Sequence, residues 1–278
     1  MFNTRQKCLY YFLQKSGYCS RIKLAKIFFL MGHESKLNER CKFYNFVPYK
    51  FGPYSFELFH DVDIMEQEKL VTTDDNTIKF IDVHNQLPVE IAPIIDQYFE
   101  DYYNMNENKL INFVYEKYPE YTIFSEIKQK QKYVRDLTGI YTIGYEGLSI
   151  DEFLMKMIKE KIQRLIDVRN NPWSMKFGFS KQNLSIFCEK LGINYINIPS
   201  LGISSSSRKN LNGKEAYENL FKMYGSHLEK RIEDLQRLKT TSERQRIALM
   251  CFEKDPNYCH RSILAKELEK LGAEVELH

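Results

Sequence analysis

The sequence predicts an α/β fold with a mostly parallel sheet flanked by helices in its C-terminal half, preceded by an α+β domain of winged-helix type. From residue 137 onward, short apolar runs alternate with amphipathic helical segments, as in sheets covered on both faces. Residues 4–81 instead indicate three helices followed by a tight hairpin. A chain of 278 residues, 43% of them hydrophobic, suffices for two cores. We therefore expect a winged-helix-like domain at 1–90, a helical linker at 91–136 and an α/β domain at 137–278.

Serines mark the helix starts of the first domain. Ser20 and Ser55 each precede an apolar helical repeat, where a serine hydroxyl caps a helix N-terminus. The segment 70–81 is typical of two strands joined by a turn of Asp and Asn residues. Residues 49–55, Tyr-Lys-Phe-Gly-Pro-Tyr-Ser, also resemble the Lys-Tyr-Gly-Pro stretch of small winged-helix-like domains in prokaryotic regulators and antitoxin-type proteins. This resemblance implies a winged-helix-like domain, a fold that usually binds DNA.

Charge is unevenly distributed along the chain, although the net value is only +3. Residues 1–60 carry 10 Lys and Arg against 3 Asp and Glu, whereas residues 61–137 carry 8 against 16. The basic first segment predicts nucleic-acid binding through Arg5, Lys7, Arg21, Lys23 and Lys26. The third helix is acidic, however, and phosphate repulsion opposes its entry into a DNA groove. A protein-docking or homodimerisation module is the alternative.

The composition favours a cytoplasmic protein without a membrane anchor. No apolar run reaches the roughly 18 residues that a membrane span needs, and no apolar signal-peptide core follows the N-terminus. The six cysteines are scattered without a disulfide framework, which predicts reduced thiols.

Strands and helices alternate through the C-terminal half. Apolar or β-rich runs at 140–145, 164–169, 193–198 and 247–250 predict strands, and a short last strand is expected at 274–277. Ser149 and Ser180 cap the intervening helices, and a longer helix is expected over 215–238. The loop at 199–213 contains four consecutive serines followed by Arg208 and Lys209.

Polar residues follow three of these strands, and the carboxyl ends of parallel strands meet at one edge of a sheet. We expect these residues to form one ligand site, composed of Tyr145, Asp167, Arg169, Cys251, Glu253, Cys259, His260, Arg261 and Ser262. Arg169 and Arg261 are candidates for a phosphate or carboxylate clamp beside a helix N-terminus, with Cys259 and Ser262 lining it. Asp167, Glu253 and His260 are candidates for acid–base catalysis. Tyr145 is a candidate for stacking on a base or sugar.

Several of these pieces resemble the bacterial and archaeal family called domain of unknown function 488 (DUF488). The matching segments, in chain order, are 142–147 (TIGYEG), 166–169 (IDVR) with 171–172 (NP), 179–181 (FSK), 201–202 (LG), 251–256 (CFEKDP) and 259–262 (CHRS). The resemblance covers residues 139–278. It implies an α/β fold with a site at these segments, whereas the activity of the family is not settled.

Cys251 allows two further interpretations. As a thiolate, Cys251 would be a nucleophile. In this respect the chain resembles rhodanese-type sulfur transferases. Those enzymes place an Arg about six residues after the Cys, whereas here the first is Arg261, ten residues on. Cys251, Cys259 and His260 would alternatively bind zinc, but their spacing is not a regular close pair and no fourth ligand is evident. We therefore expect no metal and no cofactor.

The sequence thus predicts a protein that binds a phosphorylated ligand, a nucleotide or a nucleic acid, at the strand-end edge, and that hydrolyses or transfers it. The winged helix would dock on nucleic acid or on a partner. The alternative is a non-enzymatic, ligand-sensing regulator or antitoxin-like adaptor, and rhodanese-like sulfur transfer is the weaker one. Nucleic acid, an anionic nucleotide and a second copy of the chain are the partners that these patterns indicate.

Overall fold

The computed structural model describes residues 2–81, 91–204, 207 and 214–278. The chain divides into two compact units, Met1–Tyr133 and Val134–His278. The serine-containing loop expected at 199–213 lies partly outside the described residues, and the domain boundary expected at residue 90 lies outside them as well. Within the described ranges, no helix has the length and apolar character needed to cross a membrane.

The first unit combines helices with short antiparallel strands. Its elements are α1 (Thr4–Ser16), β1 (Tyr18–Ser20), α2 (Arg21–Glu34), α3 (Leu37–Arg40), β2 (Val47–Tyr49), β3 (Gly52–Tyr54), α4 (Phe56–Gln67), β4 (Val71–Thr73), β5 (Thr77–Phe80), α5 (Ala92–Tyr102) and α6 (Glu107–Lys117). The hydroxyls of Ser20 and Ser55 cap α2 and α4, as predicted. The predicted hairpin forms β4 and β5, and β1 adds a third strand beside β5. The turn-rich segment around residue 50 is a second hairpin, β2–β3.

Two helices occupy the segment for which a helical linker is predicted. Helices α5 and α6 both pack on α2 within the first unit. Aromatic contacts hold α5 in place, including the ring of Phe99 on Phe12 of α1, with centroids 5.5 Å apart. The division between the two units falls after residue 133.

The second unit is an α/β layer structure, which confirms the predicted fold class. Its elements are β6 (Gly139–Gly144), α7 (Ile150–Lys159), β7 (Arg164–Asp167), α8 (Lys181–Lys190), β8 (Asn194–Asn197), α9 (Lys214–Glu229), α10 (Ile232–Ser242), β9 (Arg246–Cys251), α11 (Arg261–Lys270) and β10 (Val275–Glu276). The five strands are all parallel, in the order β10-β6-β9-β7-β8. The single helix expected over 215–238 is divided into α9 and α10.

Strand β9 lies at the centre of this sheet, and all six of its residues are buried. Alternate side chains of a strand point to the same face, and Ile247, Leu249 and Cys251 accordingly share one core cluster with Leu264 and Leu268 of α11. The thiol at the end of β9 is therefore directed to the side of the sheet that α11 covers.

Candidate active site at the strand ends

The polar ends of three strands meet at one edge of the sheet, as expected for parallel strands. Gly144 at the end of β6 is paired in register with Cys251, and Asp167 at the end of β7 is paired with Met250. Strand β9 therefore lies between the other two, and the turn that follows it crosses the edge where all three end. This edge contains the candidate site.

A glycine on β6 lets the turn after β9 approach closely. A Cβ atom at Gly144 would lie 1.8 Å from the carbonyl oxygen of Glu253, far inside van der Waals contact. The neighbouring amide of Glu146 donates a hydrogen bond to the carbonyl of Phe252 (2.9 Å). These contacts position the Cys251–Lys254 segment on the end of β6.

Asp167 and Arg169 form a buried ion pair rather than an open anion site. The guanidinium of Arg169 donates from Nε to Asp167 Oδ1 (2.8 Å) and from Nη2 to Oδ2 (2.6 Å), and its Nη1 donates to the Tyr145 hydroxyl (2.9 Å). Tyr195 donates a further hydrogen bond to Asp167 (2.6 Å). Asp167 is fully buried and Arg169 is 6% exposed. These groups satisfy one another, which favours a structural role for the pair.

The protonation states of Arg169 and Tyr195 follow from their burial and their contacts with Asp167. Burial by itself lowers the pKa of Arg169, but the hydrogen bond and the charge of Asp167 outweigh it, so the pKa lies above its ordinary value. Burial, reinforced by the Asp167 carboxylate, raises the pKa of Tyr195. The Arg169 cation and the neutral Tyr195 phenol are therefore maintained.

Arg261 and Ser262 hold backbone rather than face a cavity. Arg261 is fully buried, and its guanidinium donates to the carbonyls of Glu253, Lys254 (2.8 Å) and His278 (2.8 Å). The Ser262 hydroxyl donates to the carbonyl of Cys259 (2.8 Å). These contacts favour a positioning role for both residues, because they fix the two turns that contain the other site residues.

The remaining four predicted residues form one compact cluster: Cys251, Glu253, Cys259 and His260. Each contributes one potential ligand atom, and these atoms all lie within 4.8 Å of one another. Cys251 Sγ is 3.0 Å from Glu253 Oε2 and 3.6 Å from His260 Nδ1. The cysteines and the histidine are buried, and Glu253 is half-buried.

The two thiols of this cluster differ in acidity. The hydrogen bond from the Cys259 thiol, with the neighbouring His260, holds the pKa of Cys251 well below its usual range despite burial. Burial and the neighbouring Cys251 raise the pKa of Cys259. Cys251 is nevertheless fully buried, and nucleophilic cysteines lie in partly exposed positions. The geometry therefore gives no support to sulfur transfer through Cys251.

A pocket of about 230 Å³ opens beside this cluster. Its walls are Ile203, Tyr217, Leu220, Phe221, Glu253, Tyr258 and His260. Tyr217 and Phe221 lie one turn apart on α9, and the Tyr258 ring contacts Tyr217 edge-on with centroids 5.4 Å apart. Sequence reasoning missed these three aromatic residues. For Tyr217 and Phe221 the sequence signal is their four-residue spacing on α9, whereas Tyr258 lies in the turn before α11.

The predicted nucleic-acid-binding residues of the first unit are largely engaged within that unit. Arg5 forms ion pairs with Glu57 (3.1 Å) and Asp61 (2.9 Å) of α4. The Lys26 ammonium is buried and donates to two backbone carbonyls.

Two further basic residues of α2 contact aromatic rings. The Arg21 guanidinium lies 4.5 Å from the Phe59 ring centroid. Lys23 donates to the carbonyl of Tyr103 (2.7 Å) and lies over its ring. Lys7 is half-buried. Four of the five predicted residues are thus engaged within the unit, Arg5 with carboxylates and the other three with backbone carbonyls or aromatic rings.

Comparison with protein families identifies a match within the second unit. Residues 149–268 match the family described as domain of unknown function DUF488. The matched range begins just before α7 and ends within α11, and it includes the ends of β7 and β9 and the whole Cys251–His260 cluster. The second unit therefore contains a DUF488 domain, which confirms the resemblance for this part. Neither curated proteins nor solved structures include a significant match to the chain.

Proposed function

We propose that the DUF488 domain binds a nucleotide, or a base of a single-stranded nucleic acid, in the aromatic pocket beside the Cys251–His260 cluster, and hydrolyses or transfers part of that ligand. The observation that supports this is the composition of the pocket. Three aromatic rings form its walls, and Glu253 and His260 lie at its floor. Lining residues that are mostly aromatic or aliphatic, combined with a few convergent polar groups, are typical of small-molecule sites.

The size of the pocket favours one ring system. Its volume of about 230 Å³ is smaller than the roughly 300–1,000 Å³ usual for drug-sized ligands. Stacking of a base on an aromatic side chain contributes about 1–3 kcal/mol and tolerates any base, because every base has a π-face. The Glu253 carboxylate accepts hydrogen bonds from an amino group or a ribose hydroxyl. Recognition is therefore directed to the base and sugar.

The structure does not support the phosphate clamp that the sequence predicts. Arg169 and Arg261, the two arginines expected to bind phosphate, are committed to Asp167 and to backbone carbonyls. The first backbone amides of α11 are also engaged, because Ser262 and Ile263 donate to the carbonyls of Cys259 and His260. The phosphate of a nucleotide would therefore extend towards solvent.

Binding of a panel of nucleosides, nucleotides and short oligonucleotides, measured by calorimetry, tests this proposal. Loss of a stacking ring in Tyr258→Ala should weaken binding roughly 5- to 150-fold, which corresponds to about 1–3 kcal/mol. Trp173→Ala is the matched control, because Trp173 is an exposed aromatic residue of the same unit (66%) outside the pocket walls. Equal affinities of the two variants, or no binding by the wild type, would refute the proposal.

A non-enzymatic regulator is the second candidate. Its support is the internal pairing of Arg5, Lys23 and Lys26, which favours a winged-helix-like first unit that docks on a protein over one that grips phosphates. Chromatographic detection of products from the same ligand panel separates the two functions. Turnover identifies an enzyme, whereas binding without turnover identifies a ligand sensor.

A further inference from the structure

We propose that Cys251, Glu253, Cys259 and His260 bind one zinc ion at the floor of the pocket. The proposal goes beyond the function proposed above and does not depend on which ligand the pocket binds. It rests on the mutual distances of four ligand atoms, the orientation of the histidine ring, and the contacts that hold the ligand-bearing backbone.

The distances suit a tetrahedral site. Zinc lies about 2.3 Å from sulfur and about 2.0–2.1 Å from nitrogen, so a tetrahedral sulfur–nitrogen edge is about 3.6 Å. Cys251 Sγ and His260 Nδ1 are 3.6 Å apart. The Cys251–Glu253 contact is shorter, at 3.0 Å, and would open by about 0.6 Å when the metal replaces the thiol proton. All other separations lie below 4.8 Å.

The histidine is oriented as a metal ligand. His260 Nε2 lies 3.3 Å from the carbonyl oxygen of Val168. A carbonyl only accepts, so Nε2 carries the proton and Nδ1 presents its lone pair on the side of Cys251. A hydrogen bond from the second ring nitrogen to a backbone carbonyl is the usual support of zinc-bound histidines. The ring of Tyr224 packs edge-on against the imidazole, with centroids 5.3 Å apart, and fixes its plane.

The backbone around the ligands is held by neighbouring side chains. Arg261 binds the carbonyl oxygen of Glu253, and Ser262 binds that of Cys259. These are the outer contacts that keep metal ligands in place. Two thiolates and a carboxylate exceed the charge of Zn²⁺ by one, and the adjacent Arg261 guanidinium supplies the compensating positive charge. The structure does not favour anion binding by Arg261 and Ser262. In this proposal both residues instead hold the backbone of the zinc ligands.

The ligand set favours a transition metal over magnesium or calcium. Thiolate and imidazole ligands suit zinc, whereas magnesium and calcium require oxygen ligands. Three of the four residues are buried, and Glu253 and His260 both line the pocket. A ligand in the pocket would therefore approach the metal from the side of Glu253 and His260.

Metal content of the full-length chain tests the site. We expect one zinc per chain by elemental analysis, and loss of that zinc in Cys259→Ser. Cys188→Ser is the matched control, since Cys188 is a buried cysteine of the same unit outside the cluster. Cobalt(II) added to the metal-free wild type should give a thiolate charge-transfer band that Cys259→Ser lacks and Cys188→Ser retains.

A second measurement keeps the test independent of variant folding. One equivalent of Zn²⁺ should raise the melting temperature of metal-free wild type, because a ligand that binds the folded state stabilises it, and the same amount of Mg²⁺ should not. No zinc uptake, equal zinc in Cys259→Ser and Cys188→Ser, or a Cys251–Cys259 disulfide in protein purified under reducing conditions would overturn the proposal. Nucleotide affinity measured on the metal-free protein separates this failure from failure of the pocket.

Discussion

The buried pair of Asp167 and Arg169 makes a quantitative prediction about what holds the strand-end edge together. Removing one partner of a buried ion pair leaves the other charge uncompensated and costs about 3–5 kcal/mol. Asp167 is fully buried, and it accepts two hydrogen bonds from the Arg169 side chain and one from Tyr195. We expect Asp167→Asn to lower the free energy of unfolding of the second unit by about 3–5 kcal/mol, or its melting temperature by roughly 6–20 °C.

The assay is urea and thermal unfolding followed by circular dichroism and by the fluorescence of Trp173, the single tryptophan, which lies in the second unit. Asp136→Asn is the matched control, because the Asp136–Lys161 pair of the same unit is exposed (59% and 34%). It should cost about 1 kcal/mol or less. Equal effects of the two substitutions would refute the reasoning.

A double variant separates the cost of an orphaned charge from the value of the pair. Replacing both partners of a buried ion pair by apolar residues of similar size is often neutral in stability. Asp167→Leu combined with Arg169→Met should therefore recover most of the stability that Asp167→Asn loses. Failure to recover would show that the hydrogen bonds to Tyr145 and Tyr195 stabilise the edge more than the charge balance does.

Two further predictions concern close packing and buried charge. Gly144→Ala places a Cβ 1.8 Å from the Glu253 carbonyl oxygen, so it should displace the turn and lower the melting temperature by several degrees. Gly225→Ala in α9 is the control, because a Cβ there meets nothing within 4 Å. It should be neutral or stabilising by up to about 1 kcal/mol. Equal melting temperatures of the Gly144→Ala and Gly225→Ala variants would contradict the packing argument. In the first unit, burial lowers the pKa of Lys26 to about 7, whereas its amine in the unfolded chain titrates near 10.5. The penalty is thus complete below pH 7 and fades towards pH 10.5. The unfolding free energy of Lys26→Met minus that of the wild type should therefore be about 3 kcal/mol larger at pH 6 than at pH 9. A pH-independent difference between variant and wild type would argue against a buried charge.

Local patterns predicted most of the elements around the site. The runs at 140–145, 164–169 and 247–250 correspond to three adjacent parallel strands. The serines at 20, 55 and 149 cap helices where expected. The helix expected over 215–238 was wrong as a single element. Its break near residue 230 carries no Pro or Gly signal. Such a break depends on how two helices pack on the sheet, which no local pattern records.

The roles of the polar residues were less accessible to sequence reasoning. Arg169 and Arg261 stand at strand-end and helix-start positions that suit anion binding, yet each is buried with partners of its own. The approach of Cys259 to Cys251 requires the short turn at 256–258 to reverse the chain. Two of the three aromatic residues of the pocket, Tyr217 and Phe221, come from α9, more than 30 residues before that turn. The partners of Arg169 and Arg261 also include groups more distant in the chain, Tyr145 and His278, and no local pattern records such contacts.

By itself, the sequence determined that a parallel sheet forms and that its polar residues gather at one edge. Hydrophobic periodicity dictates which residues are buried, and parallel strands joined by helices must end on the same side. Only the tertiary structure decided which of those polar groups pair with each other and which face a pocket. Pairing depends on distances of a few ångströms between groups from different elements, and burial sets the strength of each interaction. The motif Cys251–Ser262 thus changes from an expected anion site into a candidate metal centre beside an aromatic pocket.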